Sequence, residues 1–256
     1  MGQSRYGRLP KTENWQNVVA LLASPRVSPA QAATATVRAC RTALRRHSDD
    51  PVLGAAVYLL CRLPLAARQG KASQFLREEG LNPDALSAPT LLSEEIASTL
   101  HKRNFCNNDP SFVPEIAISA TQETLAKLMA QSNLDLFADA TGQMEQALAA
   151  YGTPRGFATA ARIFFTSFMQ RTLAYFLSKE TVNVLGPKGF DSLKSLQNFL
   201  GDLRRYCWES SKIIDVFAEE WYSKHKWQEK LEPEHVASFV WAVIRKFSAE
   251  IGREHE

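Results

Sequence analysis

The sequence FATAARIFFTSFMQRTLAYFLSKE, at residues 157–180, is the most apolar long stretch of the chain and decides its fold class. The side chains that share one broad arc at 100° per residue are Phe157, Ala161, Phe164, Phe165, Phe168, Met169, Tyr175 and Phe176. The side chains of the opposite, mixed face are Arg162, Ile163, Thr166, Ser167, Gln170, Arg171, Leu173 and Leu177. Periodicity of this kind predicts a helix that buries an aromatic-rich face.

The same stretch approaches the ~20 residues that a membrane-spanning helix needs. It contains Arg162, Gln170 and Arg171, and a charge in the middle of a span costs about 2.5–3.5 kcal/mol. We therefore expect a core helix and no membrane partner. An alternative is that the aromatic stripe lines a ligand pocket, which would make the protein an enzyme with its pocket along helix 157–180.

The composition is that of an ordinary soluble globular protein. The chain has 256 residues, of which 45% are hydrophobic and 22% are charged, and this is enough to bury a sizeable core. Its start is polar and basic without an apolar segment, so we expect no secretory signal peptide. The four cysteines are scattered without a CxxC pair, at Cys40, Cys61, Cys106 and Cys207. Scattered cysteines indicate reduced thiols, so we expect a cytoplasmic protein.

Helix start and stop signals recur along the chain. Ser28 and Asp50 are each followed by proline, the pattern of a capped helix start. Asn14 and Asp191 are further candidate caps, and Gly80 is a candidate stop. No segment shows convincing β alternation. The sequence therefore predicts an all-α bundle of roughly nine to eleven helices, one of which runs from residue 29 to residue 47.

Residues 104–115, NFCNNDPSFVPE, interrupt this pattern most strongly, with two prolines and four Asn or Asp residues. We place a lobe boundary there. The prediction is a flexible tail at 1–13, a basic helical lobe at 14–103 and a helical lobe with an aromatic-rich core at 116–256.

Positive charge is concentrated near the start of the chain. Up to Arg77 there are 12 Lys and Arg residues against 3 Asp and Glu, whereas the net charge of the whole chain is only +3. Arg38, Arg41 and Arg45 are spaced three and four apart and share a helical face, and Arg46 is adjacent. The stripe is either a solvated face or a docking site for an acidic partner or phosphates.

We expect a protein partner first and nucleic acid second, because no aromatic residue lies within the arginine stripe. Four of the five tryptophans lie in the last quarter of the chain, at Trp208, Trp221, Trp227 and Trp241. They predict a well-packed bundle, with the alternative that some of them form a binding hot spot.

No catalytic, dinucleotide-binding or kinase motif is present. Glu232 and His235 form one E-x-x-H, but a carboxylate-bridged metal pair needs two such motifs. His101 and Cys106 could form a Cys–His pair, a spacing that inert proteins also show. We therefore expect no metal, no cofactor and no catalytic residue, and favour a binding protein over an enzyme.

The first ten residues, MGQSRYGRLP, carry one further hypothesis. Removal of the initiating methionine would expose Gly2, and Tyr6 stands where the myristoylation pattern needs Ser or Thr. This start resembles those of the B components of Qat-type bacterial anti-phage operons. The resemblance implies a non-catalytic partner of a QueC-like enzyme that is thought to act on the terminal glycine. Gly2 would then be a modification acceptor, and the chain a non-enzymatic adaptor or substrate subunit of a cytosolic bacterial defence system.

Overall fold

The computed structural model describes residues 12–24, 27–107, 111–132, 140–181, 190–228 and 230–253. The predicted all-α class is confirmed, because these residues form twelve α-helices and one short 3₁₀ helix at Pro83–Ser87. The α-helices are α1 (Glu13–Leu22), α2 (Pro29–Ala39), α3 (Arg41–His47), α4 (Pro51–Arg68), α5 (Ala72–Glu78), α6 (Pro89–Asn107), α7 (Val113–Ala130), α8 (Ala140–Ala149), α9 (Pro154–Thr181), α10 (Leu193–Ser210), α11 (Lys212–Trp227) and α12 (Pro233–Ile251).

Local signals fix several helix ends. Oδ1 of Asp50 accepts hydrogen bonds from the amides of Val52 and Leu53, at 2.9 and 3.1 Å, and so caps α4. Gly80 follows α5 with a φ of 76°, a conformation that glycine adopts without a steric cost. Both features agree with the start and stop signals in the sequence.

Two predicted caps are wrong by one or two residues. Thr12, not Asn14, caps α1, and its Oγ1 accepts a first-turn amide at 3.3 Å. Ser192, not Asp191, caps α10, and it exchanges reciprocal side-chain to backbone hydrogen bonds with Ser195. In each case the residue at the N-cap position carries a hydroxyl, and the amide or carboxylate side chain that was predicted as the cap lies one or two residues away.

The helix predicted at 29–47 is divided at Cys40, where φ is −98° and ψ is 10°. The Cys40 amide still donates to the carbonyl of Thr36, and the Leu44 amide to that of Cys40. The break redirects the chain, so that both α2 and α3 pack against α12. This division accounts for part of the difference between nine to eleven predicted helices and the twelve in the described residues.

The interruption predicted at 104–115 is shorter than expected. Helix α6 begins at Pro89 and continues to Asn107, and α7 already begins at Val113 with Pro114 in its first turn. Proline suits the first turn of a helix, because its missing amide would have no partner there. The prolines of this region therefore mark helix starts as well as loops.

The aromatic face of α9 lies in the core, as its periodicity predicts. Phe157 and Phe164 are at most 1% exposed. The Phe157 ring stacks on Tyr222 of α11 at 4.9 Å between centroids and lies 5.4 Å from Phe239 of α12. Leu173 and Leu177, on the face predicted to be mixed, are also fully buried. Helix α9 is therefore covered on most sides by its neighbours.

Helices on both sides of the predicted lobe boundary share one hydrophobic core. Helix α4 packs against α7, α8 and α12. A Cβ atom at Gly152 would lie 2.4 Å from the carbonyl oxygen of Pro64, so the two backbones touch there and only glycine fits. The division into lobes at 14–103 and 116–256 stays a prediction about folding units, and most of the tail at 1–13 lies outside the described residues.

In the described residues, one helix is long and apolar enough to cross a membrane by length and composition. It is α4, not the stretch at 157–180, and 72% of its apolar window is buried inside the protein. Burial of this kind is typical of a core helix in a soluble protein.

Candidate functional site

Helices α2, α3 and α12 enclose a groove of about 390 Å³, which we call the arginine groove. Arg38, Arg41 and Arg45 line one wall, and Trp241 and Arg245 line the other. No Asp or Glu side chain is among the described residues that line it. Four guanidinium groups therefore share a concave surface, and its described lining residues include no carboxylate.

The floor of the arginine groove is apolar. Val37, Leu44 and Ile244 are each at most 4% exposed and line its bottom. They belong to the core faces of α2, α3 and α12, and the arginines flank them on the solvent side of the same turns. The sequence thus produces an apolar trough with a cationic rim where the core faces of these three helices meet.

Arg38 has a structural role as well. Its guanidinium donates to the carbonyl oxygen of Gly252, at 3.2 Å, immediately after the last turn of α12. Thr34 and Tyr206 donate to the neighbouring carbonyl of Ile251, at 2.7 and 3.2 Å. A cation at a helix C-terminus stabilises the helix dipole, so Arg38 fastens α2 to the end of α12.

Trp241 and Arg245 are one turn apart on α12. The indole of Trp241 is 40% exposed, and the Arg245 guanidinium carbon lies 4.7 Å from its ring centroid. This geometry is a cation–π contact. It holds a flat aromatic surface beside the arginines, where a partner side chain or a nucleic-acid base can stack.

Of the four arginines of the predicted stripe, Arg38, Arg41 and Arg45 line the arginine groove and Arg46 does not. The guanidinium groups of Arg41 and Arg45 are exposed and make no hydrogen bond or ion pair with any described residue. Arg46 is also exposed but is not among the residues that line the groove. The other predicted site residue, Gly2, lies outside the described residues.

Sequence reasoning missed Trp241 and Arg245 as members of this site. They lie about 200 positions from the stripe along the chain, and no local pattern joins two helices so far apart. The signal that the sequence offered was their i, i+4 spacing, which places both side chains on the same side of one helix.

The aromatic rings of helix 157–180, which in the alternative hypothesis would line a pocket, are packed in the core. A cavity of about 430 Å³ does lie along α9, but against its opposite face, between α7 and α10. Ile163, Thr166, Ser167 and Gln170 line it from α9. We call it the Glu123 cavity, because Glu123 of α7 is its most strongly bonded group.

Glu123 is the acceptor for four donors. Its Oε1 accepts from Lys127 Nζ, at 2.7 Å, and from the Arg204 guanidinium. Its Oε2 accepts from Ser167 Oγ, at 2.6 Å, and from Arg171, at 3.1 Å. Partial burial would raise the pKa of Glu123, but the hydrogen bonds from Lys127, Ser167 and Arg171 outweigh it and lower the pKa to about 2. The carboxylate therefore stays ionised and ties α7 to α9 and α10.

The histidine and cysteine pairs do not form a catalytic or metal-binding cluster in the described residues. His101 Nδ1 lies 3.6 Å from a Glu115 carboxylate oxygen, and the side chain of Cys106 lies outside the described residues. Glu232 precedes α12 as its N-cap residue, and His235 lies in the first turn. No group of three or more potential metal ligands is present in the part of the chain that the structure describes.

The described cysteines carry no reactive thiol. Burial raises the pKa of Cys40, Cys61 and Cys207 to about 12 in each case. The thiols are therefore protonated at neutral pH, and a protonated thiol is a poor nucleophile.

No protein-family model, no curated protein and no solved structure matches the chain significantly. Its function must therefore be inferred from the charges and geometry of the arginine groove and the Glu123 cavity.

Proposed function

We propose that the chain is a non-enzymatic binding subunit that docks an acidic segment of a protein partner in the arginine groove. The observation that carries this proposal is the grouping of Arg41, Arg45 and Arg245 around an apolar floor whose described lining residues include no carboxylate. An amphipathic acidic helix has the complementary surface, with apolar side chains for the floor and carboxylates for the rim.

The two kinds of residue at this groove are those that dominate binding energy at protein interfaces. Trp and Arg are enriched among interface residues whose truncation weakens binding most. Arg41 and Arg45 have no internal ion pair to break before they engage a partner. Their cost of recruitment is therefore limited to side-chain ordering and desolvation.

The N-terminal tail completes the proposal. In the adaptor role that the Qat-type resemblance implies, Gly2 is the acceptor for a partner enzyme in a bacterial cytoplasm, while the helical body docks elsewhere on the complex. Helix α1 packs against α2, the helix that carries Arg38. The tail therefore leads into a helix that packs on α2, one of the three helices that supply the groove, which suits one partner that uses both.

The docking role can be tested with a fluorescein-labelled amphipathic peptide that has leucine at i, i+3, i+4 and i+7 and glutamate elsewhere. Fluorescence anisotropy should show binding that weakens between about 50 and 200 mM salt. The double variant R41E/R45E should lose at least about tenfold in affinity, because two attractive charges become repulsive.

The matched control is R46E, which changes the same charge on the same helix outside the groove. It should retain most of the affinity, and a peptide with lysine in place of glutamate should not bind. Equal losses in R46E and R41E/R45E would show general charge attraction instead of a site. Absence of peptide binding at low salt would overturn the proposal.

The acceptor role of Gly2 has a separate test, the accurate mass of the N-terminal peptide. It should increase when the protein is expressed with the genes that neighbour its own, and not when it is expressed alone. Deletion of residues 2–10 should abolish the activity of the assembled system without lowering the melting temperature by more than a few degrees. An unmodified glycine in both samples would remove this part of the proposal and leave the groove untouched.

A second candidate function, single-stranded nucleic-acid binding, is favoured by one observation. Trp241 stands among the arginines of the groove, and aromatic rings interleaved with cations are the usual platform for unpaired bases. The sequence alone lacked such an aromatic residue near the stripe.

A labelled oligo-dT strand distinguishes the two candidates in the same assay. Binding of oligo-dT that is lost in W241A as well as in R41E/R45E, without binding of the acidic peptide, would favour nucleic acid. The reverse result, with W241A weakening only the peptide, would favour the protein partner.

A further inference from the structure

The Glu123 cavity is built by one stripe of residues from each of three helices. Helix α7 and its C-cap residue contribute Glu123, Lys127 and Gln131, each one turn after the last, and α10 contributes Arg204 and Trp208. Helix α9 forms the remaining wall. A volume of about 430 Å³ is within the range of small-molecule sites. The cavity is remote in sequence from the arginine groove and shares no lining residue with it.

Charge in this cavity is not balanced. Lys127, Arg171 and Arg204 all pair with Glu123, so three positive groups surround one negative group. Arg205, which also lines the cavity, pairs with Asp202 and contributes no net charge. Arg171 is not among the lining residues, so the lining itself carries a surplus of one positive charge, from Lys127 and Arg204 against Glu123. This surplus favours an anion in the cavity.

Thr166 provides a second, independent sign of a ligand. It lines the cavity, is only 6% exposed, and its Oγ1 has no hydrogen-bond partner. Of the five other buried helical threonines in the described residues, Thr99 among them, four return their hydroxyl to the carbonyl four residues earlier, and these are Thr36, Thr121, Thr124 and Thr172. A buried hydroxyl without a partner is costly, so Thr166 departs from this pattern at the wall of a cavity where a bound molecule can supply the missing hydrogen bond.

Trp208 gives the cavity an aromatic rim. The Arg162 guanidinium carbon lies 4.1 Å from its ring centroid, and the same guanidinium is held by Asp215 at 2.6 Å. The indole remains 42% exposed although one face is covered. It is therefore a fixed ring with surface left for a second flat group.

Gly201 opens the wall between these groups. A Cβ atom there would meet no other heavy atom within 4 Å. Glycine inside a helix costs stability relative to alanine, and the described packing does not require it. Its position in the wall of the cavity leaves room for a ligand.

We propose that the Glu123 cavity binds a nucleotide, with its phosphate groups at Lys127 and Arg204 and its base against Trp208. Cations suit the phosphates, an exposed ring suits the base, and the amides of Gln131 and Gln170 offer both donors and acceptors to the edge of a base. A simple inorganic anion would use the charges and leave the ring and the amides without a function.

Isothermal titration calorimetry with AMP, ATP, adenosine and pyrophosphate tests this proposal on the whole chain. AMP or ATP should bind, and adenosine and pyrophosphate should each bind at least about tenfold more weakly, because each lacks half of the contacts. Equal affinity for pyrophosphate and ATP would reduce the site to an anion site and overturn the nucleotide assignment. Absence of heat with every probe at millimolar concentration would overturn the site itself.

Two variants locate the binding. Gly201→Leu should fill the cavity and abolish nucleotide binding without lowering the melting temperature, because its added side chain enters open space. Gly54→Leu is the matched control, a helical glycine on α4 with equally open surroundings, and it should bind normally. Thr166→Val should weaken binding about three- to tenfold while leaving the unliganded protein at least as stable, because it removes a hydroxyl that has no partner.

The arginine-groove variant R41E/R45E separates this proposal from the docking role. It should bind nucleotide normally if the Glu123 cavity is the site. Loss of nucleotide binding in R41E/R45E with retention in Gly201→Leu would assign the nucleotide to the arginine groove and overturn the present inference, and it would not affect the acidic-peptide test.

Discussion

The arginine groove and the Glu123 cavity use the same side chain in opposite ways. In the Glu123 cavity, Arg171 and Arg204 meet a carboxylate that is only 17% exposed, together with Lys127. In the arginine groove, Arg41 and Arg45 meet no carboxylate among the described residues. An arginine paired with a partly buried acid stabilises the fold first, whereas an unpaired exposed arginine leaves its charge for a partner.

The difference comes from the acid and not from the number of cations. Both sites contain several positive side chains. Among the described lining residues, only those of the Glu123 cavity include a carboxylate, which α7 places where α9 and α10 converge. Stability should therefore depend on Glu123, and binding of anionic partners should depend on the surplus of positive charge at each site.

The largest effect is expected from Glu123→Gln, which keeps the shape of the side chain and removes its charge. Three cations would lose their common partner, and we expect the free energy of unfolding to fall by about 2–3 kcal/mol. For a chain of this size the melting temperature should fall by about 5–10 °C. Chemical denaturation and calorimetry at pH 7 measure both quantities.

Glu220→Gln is the control for this substitution. Glu220 is exposed on α11 and makes no ion pair with any described residue, so its loss should change the free energy of unfolding by less than about 0.5 kcal/mol. If the two variants were equally stable, the Glu123 hydrogen bonds would not stabilise the fold, and the Glu123 cavity would not differ from the arginine groove in this respect.

Acid should reduce the difference between the wild-type protein and Glu123→Gln. The folded pKa of Glu123 is lowered from its ordinary value of 4.5 to about 2, so its contribution is complete above about pH 4.5 and is lost as the pH falls through about 2. Urea unfolding at pH 7, 5, 4 and 3 should show the free-energy gap narrowing over the last steps. A gap that is constant from pH 7 to pH 3 would mean that the charge of Glu123 is not what stabilises the three helices.

The sequence alone was sufficient to predict those features of the fold that are formed by residues close together in the chain. The aromatic face of 157–180, the proline-led starts of α2 and α4 and the shared spacing of Arg38, Arg41 and Arg45 all depend on residues within a few turns of one another. Periodicity and capping chemistry act at that distance.

Both candidate sites required contacts that no local pattern contains. Trp241 and Arg245 reach the arginine stripe because α2 and α3 are divided at Cys40 and pack on α12. Glu123 and Lys127 formed a visible i, i+4 pair, but their meeting with Ser167, and with the arginines of α9 and α10, is a result of helix packing. Tertiary packing also overrode the loop that prolines and asparagines indicated at residues 104–107.

A smaller effect is expected from Gly201→Ala, in the wall of the Glu123 cavity. The added methyl group meets no atom within 4 Å, and alanine is favoured over glycine in a helix by about 0.5–1 kcal/mol. The free energy of unfolding should increase by that amount. Destabilisation would mean that the wall of the cavity is more crowded than the structure describes, and the reason given for the glycine would be wrong.

The smallest effect on stability is expected from the double variant Arg41→Gln and Arg45→Gln, the counterpart of Glu123→Gln in the other site. Neither guanidinium has a described partner to lose, and the removal of two like charges relieves repulsion on an exposed surface. The free energy of unfolding should stay within about 0.5 kcal/mol of the wild-type value, while affinity for the acidic peptide falls by at least about tenfold. This pairing of unchanged stability with lost binding is the opposite of the pattern at Glu123. A clear loss of stability in the double variant would mean that these arginines hold the fold together, as those around Glu123 do, and that the arginine groove is a structural seam instead of a docking surface.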